Sequence, residues 1–543
     1  MNKQQLIQKD YSILNTGNQL VLPMDTEILI PSDEPVRLLN AVMEEMDYTK
    51  LMAAYSELGR IGYPPRILFK VIVYANMRKI RSTRKIEQAC RENINFMYLL
   101  EGERAPDHNT ISRFRRHYLP NAIEDLMQQL VKGLMEIGEI SLADGAVFID
   151  GTKIEANANR YTFVWKKATE KNREKLHEKM QKELPGLLEK LGIKCHIPSE
   201  IKAHWLKKLR KRLCRMKLQR EEKFVCGKGH RKPALQKALE AVEKWLEKEK
   251  EYNQKIHICG DRNSYSKTDH DATFMRMKED HMRNGQLKPG YNVNAAATSG
   301  YILDCYVSQD RNDAQTFIPF LDKLQSRYDI QRVVVDSGYE SEENYKYCES
   351  HEQLSLFVKP SNHEQRKTRK YKTDIGRREN MAYDEQSDTY TCAQGRKLCV
   401  AEVKQRKSSS GFPIEKTVYQ CENCADCPCK DKCIRQNKRC KTPLEDRTKR
   451  LEVSKYFAAQ RDQMEEKIST EEGILLRVNR SIQAEGVFAY TKEDLDFRRF
   501  LLRGIEVVST EWYILAMAYN ILKLHHKIQT DRLGSHLIVP STV

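Results

Sequence analysis

Two apolar, β-favouring runs in this sequence each lead into a carboxylate. The first is Ala146-Val147-Phe148-Ile149-Asp150-Gly151-Thr152-Lys153; the second is Arg332-Val333-Val334-Val335-Asp336-Ser337-Gly338-Tyr339. Each reads as a buried strand that delivers an aspartate to its end. Side by side in one sheet, the two carboxylates would offer oxygen ligands to a hard divalent cation such as Mg²⁺. Asp-Gly and Asp-Ser-Gly are also ordinary turn signals, so each aspartate alone reads first as a turn residue. The pair, in a basic chain, reads as a metal-ligating set. A third acid, Glu485, lies in Ile474 to Phe488. On a helix Ile474, Val478, Ile482 and Glu485 share one face, which would aim Glu485 back at the sheet. A separate constellation is sulfur-based: eight of the 15 cysteines fall between Cys392 and Cys440. Cys421-x2-Cys424-x2-Cys427-x-Cys429-x3-Cys433 is dense enough for thiolate coordination of zinc, with Cys421, Cys424, Cys427 and Cys433 the best four. Reduced free thiols and an iron–sulfur cluster are the other readings of the same spacing.

The chain has 543 residues, enough for roughly three to four domains. With 40% hydrophobic and 31% charged residues it is charge-rich and can still bury a substantial core. The 93 Lys+Arg against 76 Asp+Glu give a net charge of +17, which suggests a polyanionic partner. No apolar run reaches membrane-spanning length, and Met1-Asn2-Lys3-Gln4-Gln5 opens no signal-peptide core, so no membrane and a cytoplasmic location are expected. Cysteines in that compartment are poor candidates for structural disulfides.

The elements that must position these groups follow from periodicity. Residues 1–140 read as an N-terminal helical unit after a mixed leader. Pro64 or Pro65 opens a helix with Ile67, Leu68, Val71, Ile72 and Ala75 on one stripe. Ser82-Thr83 caps the next, and Asp107, Asn109 or Thr110 caps a third that carries Arg113 and Arg116 on one face. Short helices with a basic face resemble a helix-turn-helix; a plain bundle with a solvated basic surface is the competing reading. His108, between capping residues, reads as a local hydrogen-bonding residue. Residues 141–160 hold the first core strand. Residues 161–256 form a charged helical insertion with heptad-like stripes at Leu206, Leu209, Leu213, Met216 and at Leu235, Leu239, Val242, Leu246, broken at Pro185-Gly186 and Gly227-Lys228-Gly229. Its Lys207, Lys208, Arg210, Lys211, Arg212 and Arg215 read either as phosphate contacts or as a solvated coiled-coil surface. Residues 257–360 return to strands and helices, 361–450 form the basic Cys-rich insertion, 451–530 supply helices that complete the core, and 531–543 are a tail. The expected fold class is α/β, a mixed sheet with flanking helices.

With these stretches in view, the chain resembles the DDE transposases of bacterial insertion sequences over about Tyr63 to Lys527. Phe148-Ile149-Asp150-Gly151-Thr152-Lys153, Val335-Asp336-Ser337-Gly338-Tyr339, and Glu485-Gly486-Val487-Phe488 followed by Lys492 carry the resemblance, with Arg503-Gly504 and Tyr519 to Leu524 at the C-terminal end. It implies an RNase H-like core in which Asp150, Asp336 and Glu485 are the catalytic carboxylates and hold two Mg²⁺ or Mn²⁺ ions. It implies DNA as partner, both terminal inverted repeats and target DNA, and a homodimer on that DNA, nucleoid-associated while bound. Many relatives carry Tyr-x2-Arg-x3-Glu-x6-Lys. Here Glu485-x6-Lys492 fits, Val478 and Ser481 stand at the tyrosine and arginine positions, and Arg480 lies one residue earlier. Lys492 and Arg480, with Lys153 past the first strand, are the candidate phosphate contacts near the cut, alongside Arg113 and Arg116 in the helical unit. A non-catalytic DNA-binding derivative and a metal-dependent nuclease without strand transfer are the alternatives.

Overall fold

Phe148 explains why the first strand opens on an apolar run. Ala146 and Phe148 lie on one face with Val334, Phe357, Leu476 and Ala484; Val147 and Ile149 lie on the other, in the main core with Phe317 and Leu321. A strand covered on both faces needs a continuous apolar run. The computed structural model describes residues 29–55, 62–142, 146–225, 231–277, 286–408, 410–435 and 442–534. The leader to residue 28, the Gly227-Lys228-Gly229 break, Cys440 and the tail from 535 lie outside the described residues.

Strands β1 (Ala146–Glu155), β2 (Phe163–Trp165), β3 (Ser264–Ser266), β4 (Thr273–Arg276), β5 (Leu287–Thr298), β6 (Tyr301–Ser308), β7 (Arg332–Val335) and β8 (Ser355–Val358) precede residue 360. Six of them form a mixed sheet in the order β4–β5–β1–β7–β8, with β6 also on β5. β5 is antiparallel to β1 and β6, whereas β1, β7 and β8 run parallel. The β5–β6 hairpin turns at Ser299-Gly300, both at positive φ. β2 and β3 form a separate two-stranded ladder. The Cys-rich stretch is a five-stranded antiparallel sheet of β9 (Ala382–Asp384), β10 (Thr389–Thr391), β11 (Lys397–Lys407), β12 (Pro413–Cys421) and β13 (Arg450–Val453).

Helices account for most of the rest. Pro65–Met77 starts at its proline, as the sequence predicts, and every residue but Arg66 is buried. Asp107 caps His108–Arg113 by accepting the Asn109 N–H. Ser82 stands at the N-cap of Thr83–Glu92 but makes no side-chain cap bond. Between β2 and β3, Lys166–Glu189, Ala203–Gln219 and Ala234–Cys259 pack on their leucine stripes into a core of their own. Pro185-Gly186 does not break the first of these helices. The proline sits near the C-terminal end, where it removes only one intrahelical bond, and Leu184 and Leu188 stay on the buried stripe.

Two further expectations are corrected. β1 does not end at Asp150: it runs on through Gly151-Thr152-Lys153-Ile154-Glu155, because the long β5 pairs it from Phe148↔Ala297 to Glu155↔Gly290. The Asp-Gly pair is therefore extended, and glycine is required there for space. A Cβ at Gly151 would lie 2.8 Å from the Tyr339 hydroxyl and 3.0 Å from Asn294 Oδ1. The second correction concerns Ile474, Val478 and Ile482. Ile474 and Ile482 are exposed, and the buried face is Leu476, Asn479, Gln483, Ala484, Val487 and Phe488. The helix Glu471–Arg480 passes into a π-helical turn, Ser481–Glu485, whose extra residue shifts the stripe away from a 3.6-residue period.

The last helix, Ile505–Gln529, is buried over most of its length and packs on β6 and on Pro65–Met77. Its Glu511 is fully buried. It accepts the Leu501 N–H at 3.1 Å and the Leu502 N–H at 3.0 Å, and faces the equally buried Arg115 at 3.9 Å. Burial pushes the Glu511 carboxyl up, against the pull of Arg115. Arg115 also donates to the Arg81 carbonyl at 3.0 Å, so this cluster ties the N-terminal helices to the end of the chain. Glu511→Ala, which strands the Arg115 charge, should cost about 3–5 kcal/mol in chemical denaturation. Gly151→Ala, which forces Tyr339 or Asn294 to move, should cost about 1–3 kcal/mol by the same measurement.

Candidate functional site

Parallel pairing of β1 with β7 runs through Phe148↔Val334 to Ile149↔Val335. Asp150 and Asp336 are the next residue on each strand. Phe148 and Val334 share a face, so two-residue alternation puts both aspartates on that same face. Asp150 is buried at 8% exposure; Asp336 is half-buried and caps the short turn Ser337–Tyr339, accepting the Ser337 N–H at 2.6 Å. Glu485 comes to the same face from the π-helical turn, which packs on β1 and β5. Gln483 in that turn reaches the β5–β6 hairpin and accepts the Gly300 N–H at 3.0 Å, which anchors the segment.

Arg480 links these acids. Its Nη2 donates to Glu485 Oε1 at 2.6 Å, and its Nη1 lies 4.0 Å from Asp150 Oδ1. That Nη1 is buried and makes no hydrogen bond. Ser481, at the position where relatives carry arginine, donates its hydroxyl to Glu485 Oε2 at 3.1 Å. Arg480 thus brings its charge to the acids from one residue earlier, which the π-helical register makes possible. Among the described residues, Glu87, Asp107 and His108 are a trio whose donor atoms all lie within 4.8 Å. Asp150, Asp336 and Glu485 are not drawn that close together, and a guanidinium stands between two of them. The trio is a clasp between two helices: His108 Nδ1 is 2.9 Å from both carboxylates, and its hydrogen bonds hold the Glu87 carboxyl below its usual range.

The basic candidates are dispersed. Arg113 and Arg116 are exposed in the N-terminal helical region, while Arg115 between them is buried. Lys153 is half-buried on β1 opposite Asn292. Arg160 is engaged by Glu155 at 2.9 and 3.1 Å. Lys492 is half-buried in a second π-helical turn, Tyr490–Asp494, which replaces the regular two-turn spacing from Glu485. Lys207, Lys208, Arg210, Lys211, Arg212 and Arg215 are exposed on Ala203–Gln219, with Arg210 paired to Glu243 at 2.7 Å.

In the Cys-rich sheet Cys421 and Cys424 are buried, with Cys392 and Cys433 packed against them. The Lys449 N–H donates to Cys424 Sγ at 3.3 Å. Cys427 is half-buried, and Cys429 accepts from Gln394 Nε2 at 3.3 Å. Cys392 joins the cluster because β10 lies beside β11, which in turn pairs with β12, a sheet order that spacing alone does not reveal. Sequence pattern alone likewise does not single out Asp313. It lies against Gly151 and Gly338, the glycines beside the two aspartates, and its signal was only the capping pair Asn312-Asp313.

Two family models match. Residues 391–525 match the transposase DDE domain, a span that contains Glu485 and neither aspartate. Residues 24–117 match the transposase domain DUF772, which covers most of the N-terminal helices. No curated protein and no solved structure matches the chain. Among the described residues no helix is long and apolar enough to cross a membrane. A transposase model matches towards each end of the chain, with the strand-borne acids between the two spans, and these matches support a DDE-type transposase of the insertion-sequence kind.

Proposed function

We propose that the chain binds the terminal inverted repeats of its element, cleaves DNA there and joins the ends to target DNA, with Asp150, Asp336 and Glu485 as the catalytic carboxylates of an RNase H-like core. The observation that carries the reading is the single Arg480 side chain in reach of both Asp150 and Glu485, residues 335 positions apart, beside the strand end that bears Asp336. The order β6–β5–β1–β7–β8, with β5 alone antiparallel to β1 on its inner side, supports the RNase H-like assignment.

The acids fit a divalent cation. They supply only oxygen donors, the set that hard cations take, and a buried guanidinium nitrogen without a hydrogen bond already holds positive charge among them. Two Mg²⁺ or Mn²⁺ ions bound there would supply charge to the attacking and leaving oxygens of an in-line displacement at phosphorus. Asp150 and Asp336 fix the ligand oxygens on two paired strands, so their separation is set by the sheet. Glu485 closes the set from a helical turn that can adjust. Arg480, which reaches Asp150 and Glu485 here, would offer its fork to two oxygens of a DNA phosphate. Lys153, three residues after Asp150, and Lys492, seven after Glu485, would hold flanking phosphates. Arg113 and Arg116 on the N-terminal helices would hold the repeat, and a homodimer would bring two ends together. Binding through so many cations should weaken steeply with salt.

Cys421, Cys424, Cys427 and Cys433 are proposed as ligands of one structural Zn²⁺, which would hold the loop after β12 against the sheet. Elemental analysis of the purified protein should find one zinc per chain, and Cys424→Ser should lose it.

Asp150→Asn, Asp336→Asn and Glu485→Gln each keep side-chain shape and remove the charge. Each should abolish cleavage of a labelled terminal repeat, at least a thousandfold loss being about 4 kcal/mol, while binding in a mobility-shift assay persists. Full cleavage by any one variant rejects that residue. Binding without cutting by the wild type indicates a non-catalytic DNA-binding protein, and cutting without joining indicates a nuclease.

A further inference from the structure

Beneath the two aspartates, on the opposite side of the strand ends, lies a polar network that the three-acid assignment does not use. Gly151 follows Asp150, and Gly338 lies two residues after Asp336. A Cβ at Gly338 would lie 3.1 Å from Asp313 Oδ2, and one at Gly151 would lie 3.4 Å from Asp313 Oδ1. One carboxylate therefore occupies the space beside the glycines that follow both strand-borne acids. Asp313 is the first residue of the helix Asp313–Gln325, where the helix dipole favours a negative charge. Asn292 on β5 donates to its Oδ1 at 2.7 Å. Among the described residues no cation lies within ion-pair distance of it.

Tyr339 completes the network. Its hydroxyl donates to Asn294 Oδ1 at 2.6 Å, which also accepts from Thr316 at 3.0 Å, and its ring packs edge-on against Phe317. Burial pushes this hydroxyl far up, and Asp313, Asp150 and Asp336 push it further, against Arg480. Three carboxylates thus act on one buried group. With Glu485, four carboxylates lie about the strand ends, and Arg480 is placed between Asp150 and Glu485. Like charges near one another oppose folding, and a bound cation would relieve that repulsion.

Resting on the functional reading above, we propose that Asp313 is a positioning residue of the metal site, a fourth carboxylate that fixes the ends of β1 and β7 and supplies negative potential for divalent cations held by Asp150 and Asp336. Its hydrogen bond from Asn292 needs only an acceptor oxygen, so Asp313→Asn keeps the contact and removes the charge.

The test is Mn²⁺ binding to the purified full-length protein without DNA, followed by calorimetry at low and high salt, for wild type, Asp313→Asn, Asp313→Glu and Asp150→Asn. Asp313→Asn should melt with the wild type and bind Mn²⁺ on the order of tenfold more weakly at low salt, the effect of one nearby unit charge. That difference should shrink as salt is added, which a purely structural defect would not do. Asp313→Glu should recover most of the affinity. Unchanged Mn²⁺ affinity in Asp313→Asn overturns the proposal, as does a loss that is independent of salt and accompanied by a lower melting temperature. If the amide disturbs folding, Asp313→Ser, which also removes the charge and suits a helix start, is read by the same criteria. Asp150→Asn separates the two readings. If it binds Mn²⁺ like the wild type, the three-acid site itself is wrong. If it loses Mn²⁺ while Asp313→Asn does not, only the role given to Asp313 falls.

Discussion

Parallel pairing of β1 with β7 is the constraint on which the site depends. Ile149 opposite Val335 sets Asp150 and Asp336 one step further along neighbouring strands. Side chains on a strand alternate, so a slip of one residue would send one aspartate to the opposite face. The apolar residues before each acid guard against that slip. Phe148 and Val334 fill one core while Val147, Ile149, Val333 and Val335 fill the other, and burying each such side chain stabilises by about 1.5–3 kcal/mol. Register is thus held by greasy residues for the benefit of polar ones, and β5 braces β1 from its other edge.

Charge is the second constraint. Asp150 is buried, and a buried carboxylate without a partner is costly. Arg480 offsets part of that cost through a contact that is long to Asp150 and short to Glu485. Two other buried acids have closer cations. Arg327 contacts Asp304 at 2.6 Å, and Lys527 contacts Glu139 beneath Tyr301. These pairs join the sheet to the flanking helices, so the helical front and the C-terminal helix share one core with the strands.

Much of this was legible in the sequence because it is local. The Val335-Asp336 strand, the Ser299-Gly300 hairpin and the proline start at Pro65 each follow from a few neighbouring residues. What could not be read is what other parts of the chain impose. Asp150-Gly151 carries a turn signal, and a long partner strand overrides it. Ile474 and Ile482 fit a 3.6-residue stripe, but the π-helical turn changes the period and the polar Asn479 and Gln483 go inside. For the same reason Arg480 finds the acids although Ser481 occupies the expected position. Cys392 and Asp313 gain their neighbours only when strands far apart in sequence are laid side by side.

The small ladder of β2 and β3 has an effect out of proportion to its size. Phe163 pairs with Ser266 and Trp165 with Ser264, so the whole three-helix excursion leaves and re-enters through one narrow gate. Closing a loop costs entropy that grows only with the logarithm of its length, and a stapled neck spares the central sheet most of that growth. To the sheet, the excursion is a short connection, whatever its contour. Helices hung on such a neck can lengthen, shorten or change their surface charge across generations without disturbing the strands that carry the acids.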